Sequence, residues 1–197
     1  MIRAALALLL AAVGCQRNAA PPPGAVSAEA RDGALAGAVV AKIGKITGQW
    51  ADFTPAEGGV TVSAPGVPLA NVWDHSYGLL QVRDVDYFLG TPADGLSLTV
   101  AVTVFPAGAL KGLPLDEVLT GAAGHHLAFE PASRKDTPTT VGDIPALDVT
   151  ATTAEGATMR LRVVAGNDRV YVASAFARPE RAASPDIERF LQSMRVR

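Results

Sequence analysis

Alternating apolar and polar residues mark several β-strands in the C-terminal part of the chain. The clearest run extends from Leu96 to Val104, where Leu or Val occupies every second position and Ser, Thr or Ala the positions between. A period of two is typical of a strand with one buried face. Further strands are predicted over Gly59 to Ser63, Leu79 to Leu89, Ala146 to Thr153, Thr158 to Ala165 and Arg169 to Ala177.

The region between Pro68 and Leu89 is predicted to contain a loop followed by a strand. The segment that contains Trp73, His75 and Tyr77 is predicted to be a loop after the Pro-rich turn. In the following strand, Asp84 and Asp86 share a face with apolar residues. That pattern predicts either a bulge near Asp84 or a partly solvated face.

Two helices are predicted around a three-strand meander formed by the last three strands. Leu115 to Phe129 has apolar residues at helical spacing, and Pro114 precedes its first turn. Pro185 to Met194 has a buried stripe, and Ser184 precedes it as an N-cap. The short links between strands favour antiparallel neighbours. We therefore predict an α+β fold in which an antiparallel sheet of about six or seven strands is covered by two helices.

The segment before this domain allows two interpretations. Leu35, Val39 and Ile43 fall on one helical face, whereas several glycines fall on the opposite face. Residues 34–49 are thus either an amphipathic helix or a linker, because each glycine costs about 1 kcal/mol in a helix. The domain itself is predicted to span residues 50–197.

The order of motifs in residues 50–197 resembles a known superfamily. A Pro-Gly-x-Pro turn (Pro65 to Pro68), a Gly-x-x-Pro-Ala-x-Asp strand (Gly142 to Asp148) and a closing Phe-Leu-x-Ser helix (Phe190 to Ser193) occur in sequence. This arrangement is similar to the PsbP-like superfamily, which includes bacterial lipoproteins of the DcrB and LpqN types. The resemblance implies a non-enzymatic accessory or partner-binding module without a family catalytic set.

The N-terminus has the pattern of an export signal. Arg3 precedes a ten-residue apolar run, Ala4 to Val13, which is too short for a membrane span of about 20 residues. The residues Ala12 to Cys15 resemble the lipobox of bacterial lipoprotein precursors, although that family prefers Leu at the position of Ala12. The resemblance implies that residues 1–14 are removed and that Cys15 is lipidated. Ordinary signal cleavage is the alternative, since small residues also precede this site.

The remaining N-terminal segment and the composition define the setting of the domain. Residues 15–33 are predicted to be a lipidated cysteine and a disordered Pro/Ala-rich tether. Cys15 is the only cysteine, so no intrachain disulfide is possible. Loss of Arg3 with the signal changes the formal charge from −2 to −3. The charges form no basic block, so a nucleic-acid partner is not expected; the sequence also indicates no cofactor.

Few residues are candidates for a catalytic or metal site, and they are scattered along the chain. His125 and His126 lie four or five residues from Glu130, and His126 and Glu130 are predicted to share a helical face. A metal site needs three or four protein ligands, and no HExxH motif or cysteine pair occurs. The more economical interpretation is two histidines at the end of a helix, where a positive charge is favourable.

Two further groups have both a functional and a structural interpretation. Asp84 and Asp86 could act as an acid–base pair or bind Ca²⁺, but they could also be solvated strand positions paired with Arg160 and Arg162. Trp73, His75 and Tyr77 are the weak candidates for a binding surface, because loops on rigid sheets often bind ligands; packing over the sheet edge is the alternative.

These observations favour an exported, lipid-anchored, non-catalytic domain that binds a protein partner in the cell envelope. In a cell with two membranes, we expect it on the outer membrane and facing the periplasm. The second hypothesis is a metal-binding protein or enzyme that uses His75, His125, His126, Asp84 or Asp86. The third is an apolar-ligand carrier, which predicts a large internal cavity.

Overall fold

The computed structural model describes residues 42–77, 80–127 and 129–197, and the side chains of residues 75–80 are outside this description. The signal peptide, Cys15, the tether and most of the segment 34–49 therefore lie outside the described residues.

Ten strands and two helices form the described domain. A seven-stranded sheet consists of β3 (Leu69–Tyr77), β4 (Leu80–Leu89), β5 (Leu96–Val104), β6 (Ser133–Val141), β7 (Ile144–Thr152), β8 (Thr158–Ala165) and β9 (Arg169–Ala177). All its neighbours are antiparallel, in the order β3-β4-β5-β9-β8-β7-β6. A smaller sheet contains β1 (Ala51–Phe53), β2 (Val60–Ala64) and β10 (Arg195–Val196). The helices are α1 (Leu115–His126) and α2 (Pro185–Gln192).

The two faces of the large sheet are covered by different elements. One face, which includes Leu98 and Val100 of β5, packs against β2 of the small sheet and against α2 through Ile187 and Phe190. The opposite face, which includes Val172 of β9, packs against α1. The predicted α+β class, strand number and two covering helices are confirmed. Within the described residues, neither helix is long and apolar enough to cross a bilayer.

Four strands were missed by the sequence analysis: β1, β3, β6 and β10. The segment predicted as a loop with Trp73, His75 and Tyr77 is strand β3. A further strand, β6, precedes the predicted three-strand meander and makes it four strands. The missed strands are the edges of the two sheets: β3 and β6 in the large sheet, and β1 and β10 in the small one. Each has a neighbouring strand on one side only among the described residues, so burial does not impose a regular apolar pattern on it.

Two predictions left alternatives open, one for residues 34–49 and one for the strand around Asp84, and the described residues bear on part of each. Residues 43–50 contain no helix, and Gly44 instead makes a parallel bridge with Leu89. No bulge occurs near Asp84, because β4 and β5 pair without interruption from Arg83 to Leu89. Helix α1 ends at His126, before the predicted Phe129.

Candidate functional site

Strand β4 and the C-terminal end of α1 bring four ionisable side chains together. Strand alternation places Asp84 and Asp86 on the face of the sheet that α1 covers, together with buried Val82. The last two residues of α1, His125 and His126, approach this face. We call Asp84, Asp86, His125 and His126 the Asp–His cluster.

Asp84 is the buried carboxylate of the cluster, with 4% of its surface exposed. Its Oδ2 atom lies 3.4 Å from Nε2 of His125, whose side chain is 31% exposed. Burial alone would raise the pKa of Asp84, but hydrogen bonds from His125 and Thr103 hold that pKa below its ordinary value. Asp84 is therefore ionised at neutral pH, and it orients the imidazole of His125.

Asp86 connects the cluster to the edge strand β3. The indole N–H of Trp73 donates a hydrogen bond of 3.1 Å to its Oδ2 atom. Its Oδ1 atom is shielded from solvent and has no hydrogen-bond partner among the described residues. Burial, and then the negative charge of Asp84, raises the pKa of Asp86 to about 6. A small fall in pH below neutrality therefore protonates this carboxylate.

His126 is the neutral member of the cluster. Its ring contacts that of His125 edge to face, with 5.0 Å between the ring centroids. Within the described part of the chain, its shielded Nε2 atom has no hydrogen-bond partner. Burial, and then the proximity of His125, lowers the pKa of His126 to about 4. His126 is therefore uncharged at neutral pH.

The Asp–His cluster contains part of an acid–base arrangement. A buried carboxylate that orients a more exposed imidazole is the base–orienter half of many hydrolytic sites. The hydroxyl of Thr103 interacts with Asp84 rather than completing such a site at the imidazole. Across residues 42–77, 80–127 and 129–197, no three His, Cys, Asp or Glu side chains are placed to hold one metal ion.

Three expectations about these residues were wrong. Asp84 is not a solvated strand position, because α1 covers it. Arg160 and Arg162 do not pair with Asp84 and Asp86, since β8 is not adjacent to β4. Arg160 binds Glu188 of α2, and Arg162 binds Asp148 of β7.

The third concerns Glu130. The helix ends before this residue, so it does not share a helical face with His126, and its side chain is exposed.

The predicted binding residues Trp73, His75 and Tyr77 lie on β3, the first edge of the large sheet. Only Trp73 has a described side chain, which is partly buried and anchored to Asp86. Large apolar side chains are exposed beside it: Val67, Leu69 and Val72 are between 43% and 74% exposed. Among the described residues, no strand pairs with the outer edge of β3. We call Val67 to Tyr77 the β3 edge.

The opposite edge of the sheet has a different character. Strand β6 contains Pro138, which has no backbone N–H to donate to an added strand. It is mostly exposed and polar, and Arg134 and Asp136 form a double hydrogen bond of 2.7 Å along it. Charges and proline on an edge strand oppose pairing with other chains. The β3 edge contains no proline after Pro68.

Sequence reasoning missed Thr103 and the exposed apolar residues. The regular pattern of β5 places Thr103 on its less apolar face, and the β4–β5 pairing sets it opposite Asp84. No sequence pattern marked Val67, Leu69 and Val72 as exposed. The exposure of an apolar residue at a sheet edge can be recognised only when the position of the edge strand is known.

Neither protein-family models nor curated proteins match this chain. The resemblance to the PsbP-like superfamily stays a prediction from the order of its motifs.

Proposed function

We propose that this protein is an exported, lipid-anchored, non-catalytic domain that binds an extended segment of another cell-envelope protein along the β3 edge. The observation that supports the proposal most is the contrast between the two sheet edges. The β3 edge exposes Val67, Leu69 and Val72 and has no proline after Pro68, whereas β6 contains proline and several charges. Edge strands usually carry features that prevent pairing, so an edge with fewer of these features is a candidate for strand addition.

The chemistry of the β3 edge defines the partner segment. An added strand would hydrogen-bond to the backbone of β3, and its side chains would lie alternately on the two sheet faces. Leu69 and Val72 lie on opposite faces of β3, so apolar residues are favoured on both faces of the partner strand. Asp74 is the only Asp or Glu on β3, and an acidic residue opposite it would be unfavourable.

The anchor places this surface near the membrane. In the proposal, lipidated Cys15 holds the chain, and 26 residues (16–41) separate it from the first described residue, Lys42. A fully extended chain of that length spans at most about 90 Å. A strand-addition interface is modest in area, and confinement of both proteins to one membrane would raise their effective concentration.

Site-specific photo-crosslinking in the cells that make the protein tests the proposal. A photoreactive residue replaces Val72 on the β3 edge, and a matched variant has the same residue in place of exposed Lys135 on β6. We expect one discrete adduct with a second envelope protein from position 72 and none from position 135. Equal adducts from both positions, or an adduct with a second copy of this chain alone, would contradict the proposal.

A further inference from the structure

Trp73 joins the β3 edge to the Asp–His cluster. Its backbone is opposite Asp84 in the β3–β4 pairing, but its indole N–H reaches diagonally to Oδ2 of Asp86 at 3.1 Å. The side chain is partly buried, so this hydrogen bond holds a large aromatic group against the edge of the sheet. A change at Asp86 therefore acts directly on the strand that the proposed partner would join.

The groups around Asp86 come from four elements. On β4 itself, Asp84 adds a second negative charge. From α1, His125 offers a compensating charge when protonated, and His126 lies next to it. On β3, Asn71 is opposite Asp86 and donates through its side chain to the carbonyl of Lys42. On β5, Ala101 is opposite Asp86, and Thr103 interacts with Asp84. The side chain of His75 on β3 is outside the described residues.

We propose that Asp86 is a proton-sensitive anchor of the β3 edge, which holds Trp73 firmly when ionised and loosens it when protonated. An ionised carboxylate accepts a stronger, charge-assisted hydrogen bond than a neutral carboxyl group does. Protonation also removes the repulsion between two carboxylates on one strand face. This inference rests on the proposed function, because it gives that binding surface a means of regulation: partner binding weakens as the envelope becomes acidic.

The electrostatics of the cluster agree with this role. The pKa of Asp86 is raised to about 6 by burial and by Asp84. A fall in pH from about 7.5 to about 5 therefore changes its charge, whereas an exposed aspartate would stay ionised over this range.

The indole N–H of Trp73 provides a direct test that needs no partner. The chain has two tryptophans, and Trp50 contacts Arg189 elsewhere in the domain, so Trp50→Phe leaves one indole signal. We would follow this signal by nitrogen-15 NMR between pH 4.5 and 8, using the full mature chain with Cys15→Ala. The expected result is a shift of the Trp73 N–H resonance with a midpoint near pH 6.

Two variants separate Asp86 from its neighbours. Asp86→Asn should abolish the titration of the Trp73 resonance while leaving His125 in place. Asp74→Asn, on the same strand as Trp73 but on the opposite face of the sheet, should preserve it. A resonance that does not move between pH 5 and 7, or that moves equally in Asp86→Asn, would overturn the proposal.

A measurement on the unaltered cluster covers the case in which Asp86→Asn does not fold. The side-chain carboxyl carbon of Asp86, followed by carbon-13 NMR, should titrate with the same midpoint as the Trp73 N–H. Different midpoints would overturn the proposal.

The crosslinking yield at position 72 gives the link to binding. It should fall several-fold from pH 7.5 to pH 5.5, and a pH-independent yield would contradict the regulatory role. If the Trp73 resonance titrates but position 72 gives no adduct, the proposed function fails while the proton-sensitive anchor stands.

Discussion

Asp86 and His126 belong to one cluster, and burial moves their pKa values in opposite directions. The carboxyl pKa rises to about 6 and the imidazole pKa falls to about 4, so each group favours its uncharged form. Between these values the folded protein keeps a proton on Asp86 and none on His126. The unfolded chain does the reverse, since ordinary pKa values are 3.8 for aspartate and 6.5 for histidine. Their effects on the pH dependence of stability therefore oppose each other.

Asp86→Asn should reveal the contribution of His126. In the wild type, the folded state binds the Asp86 proton up to about pH 6 and the unfolded chain only up to 3.8, so this group's contribution to the unfolding free energy falls as pH rises through that window. The variant lacks this fall. As the pH rises from 4 to 7, the unfolding free energy of the variant minus that of the wild type should therefore increase by about 3 kcal/mol. Urea unfolding at several pH values measures the difference, with Asp74→Asn as a control that should show no such trend.

His126→Gln should show the opposite trend. The unfolded chain binds the histidine proton below about pH 6.5, whereas the folded state resists it down to about pH 4. In the wild type, this contribution to stability is present above pH 6.5 and is lost as the pH falls to 4. As the pH rises from 4 to 7, the unfolding free energy of the variant minus that of the wild type should therefore decrease by about 3 kcal/mol. Changes of the same sign in the two variants would show that the cluster's protonation is assigned wrongly.

At the scale of the elements, the strands inside the sheet were predictable and its edges were not. Strand β5 pairs with β9 along its whole length and with β4 from Leu98 to Val104, so burial selects the alternation from Leu96 to Val104. The β3 and β6 strands each have a described neighbour on one side only. Burial therefore does not select a regular apolar pattern in these two strands, and they contain residues such as Asp74 in β3 and Pro138 in β6.

The candidate site shows the same division. Strand alternation was enough to place Asp84 and Asp86 on one face. Their meeting with His125 depends on where α1 crosses the sheet, and that position is set by tertiary packing of its buried residues against β7, β8 and β9. No pattern within either segment contains this information.

Helix α2 is joined to the sheet by two arginines of β8 that differ in burial. Arg162 makes two hydrogen bonds of 2.7 Å to Asp148 and one of 3.1 Å to the carbonyl of Leu191 near the helix end. Its hydrogen bonds to Asp148 raise its pKa despite partial burial. Arg160 makes a more exposed ion pair with Glu188.

These contacts predict unequal effects of two similar substitutions. Arg162→Ala should lower the free energy of unfolding by about 1–3 kcal/mol, because it leaves the carboxylate of Asp148 without its arginine donor. It also removes one donor from the carbonyl of Leu191, which keeps a backbone hydrogen bond from Met194. Arg160→Ala should lower it by less than about 1 kcal/mol, as is usual for exposed pairs. Denaturant unfolding of both variants tests this, and equal losses would contradict the role assigned to Arg162.

At the scale of the whole molecule, the proposed function combines a membrane anchor with a partner-binding domain. The address depends on the sequence around Cys15, and the binding surface on the edge of the described sheet. The two are independent parts of the proposal. Each therefore needs its own test.

Cys15→Ala should release the protein from membranes. The substitution removes the sulfur that would carry the diacylglyceryl group, and stable anchoring of this kind needs two or more acyl chains. Fractionation should show the variant in the soluble envelope fraction, and labelling with a fatty acid should be lost. Unchanged membrane association would contradict the anchor hypothesis, but it would not affect the described fold or the proposal for the β3 edge.

The most direct test of strand addition is amide hydrogen exchange along the two sheet edges. The purified protein would be compared with its complex with the partner identified by crosslinking at position 72. We predict slower exchange at backbone amides of β3 in the complex and no change in β6, because only an added strand gives new acceptors to outward-facing N–H groups. Protection of β6 or another surface, with exchange of β3 unchanged, would contradict the account.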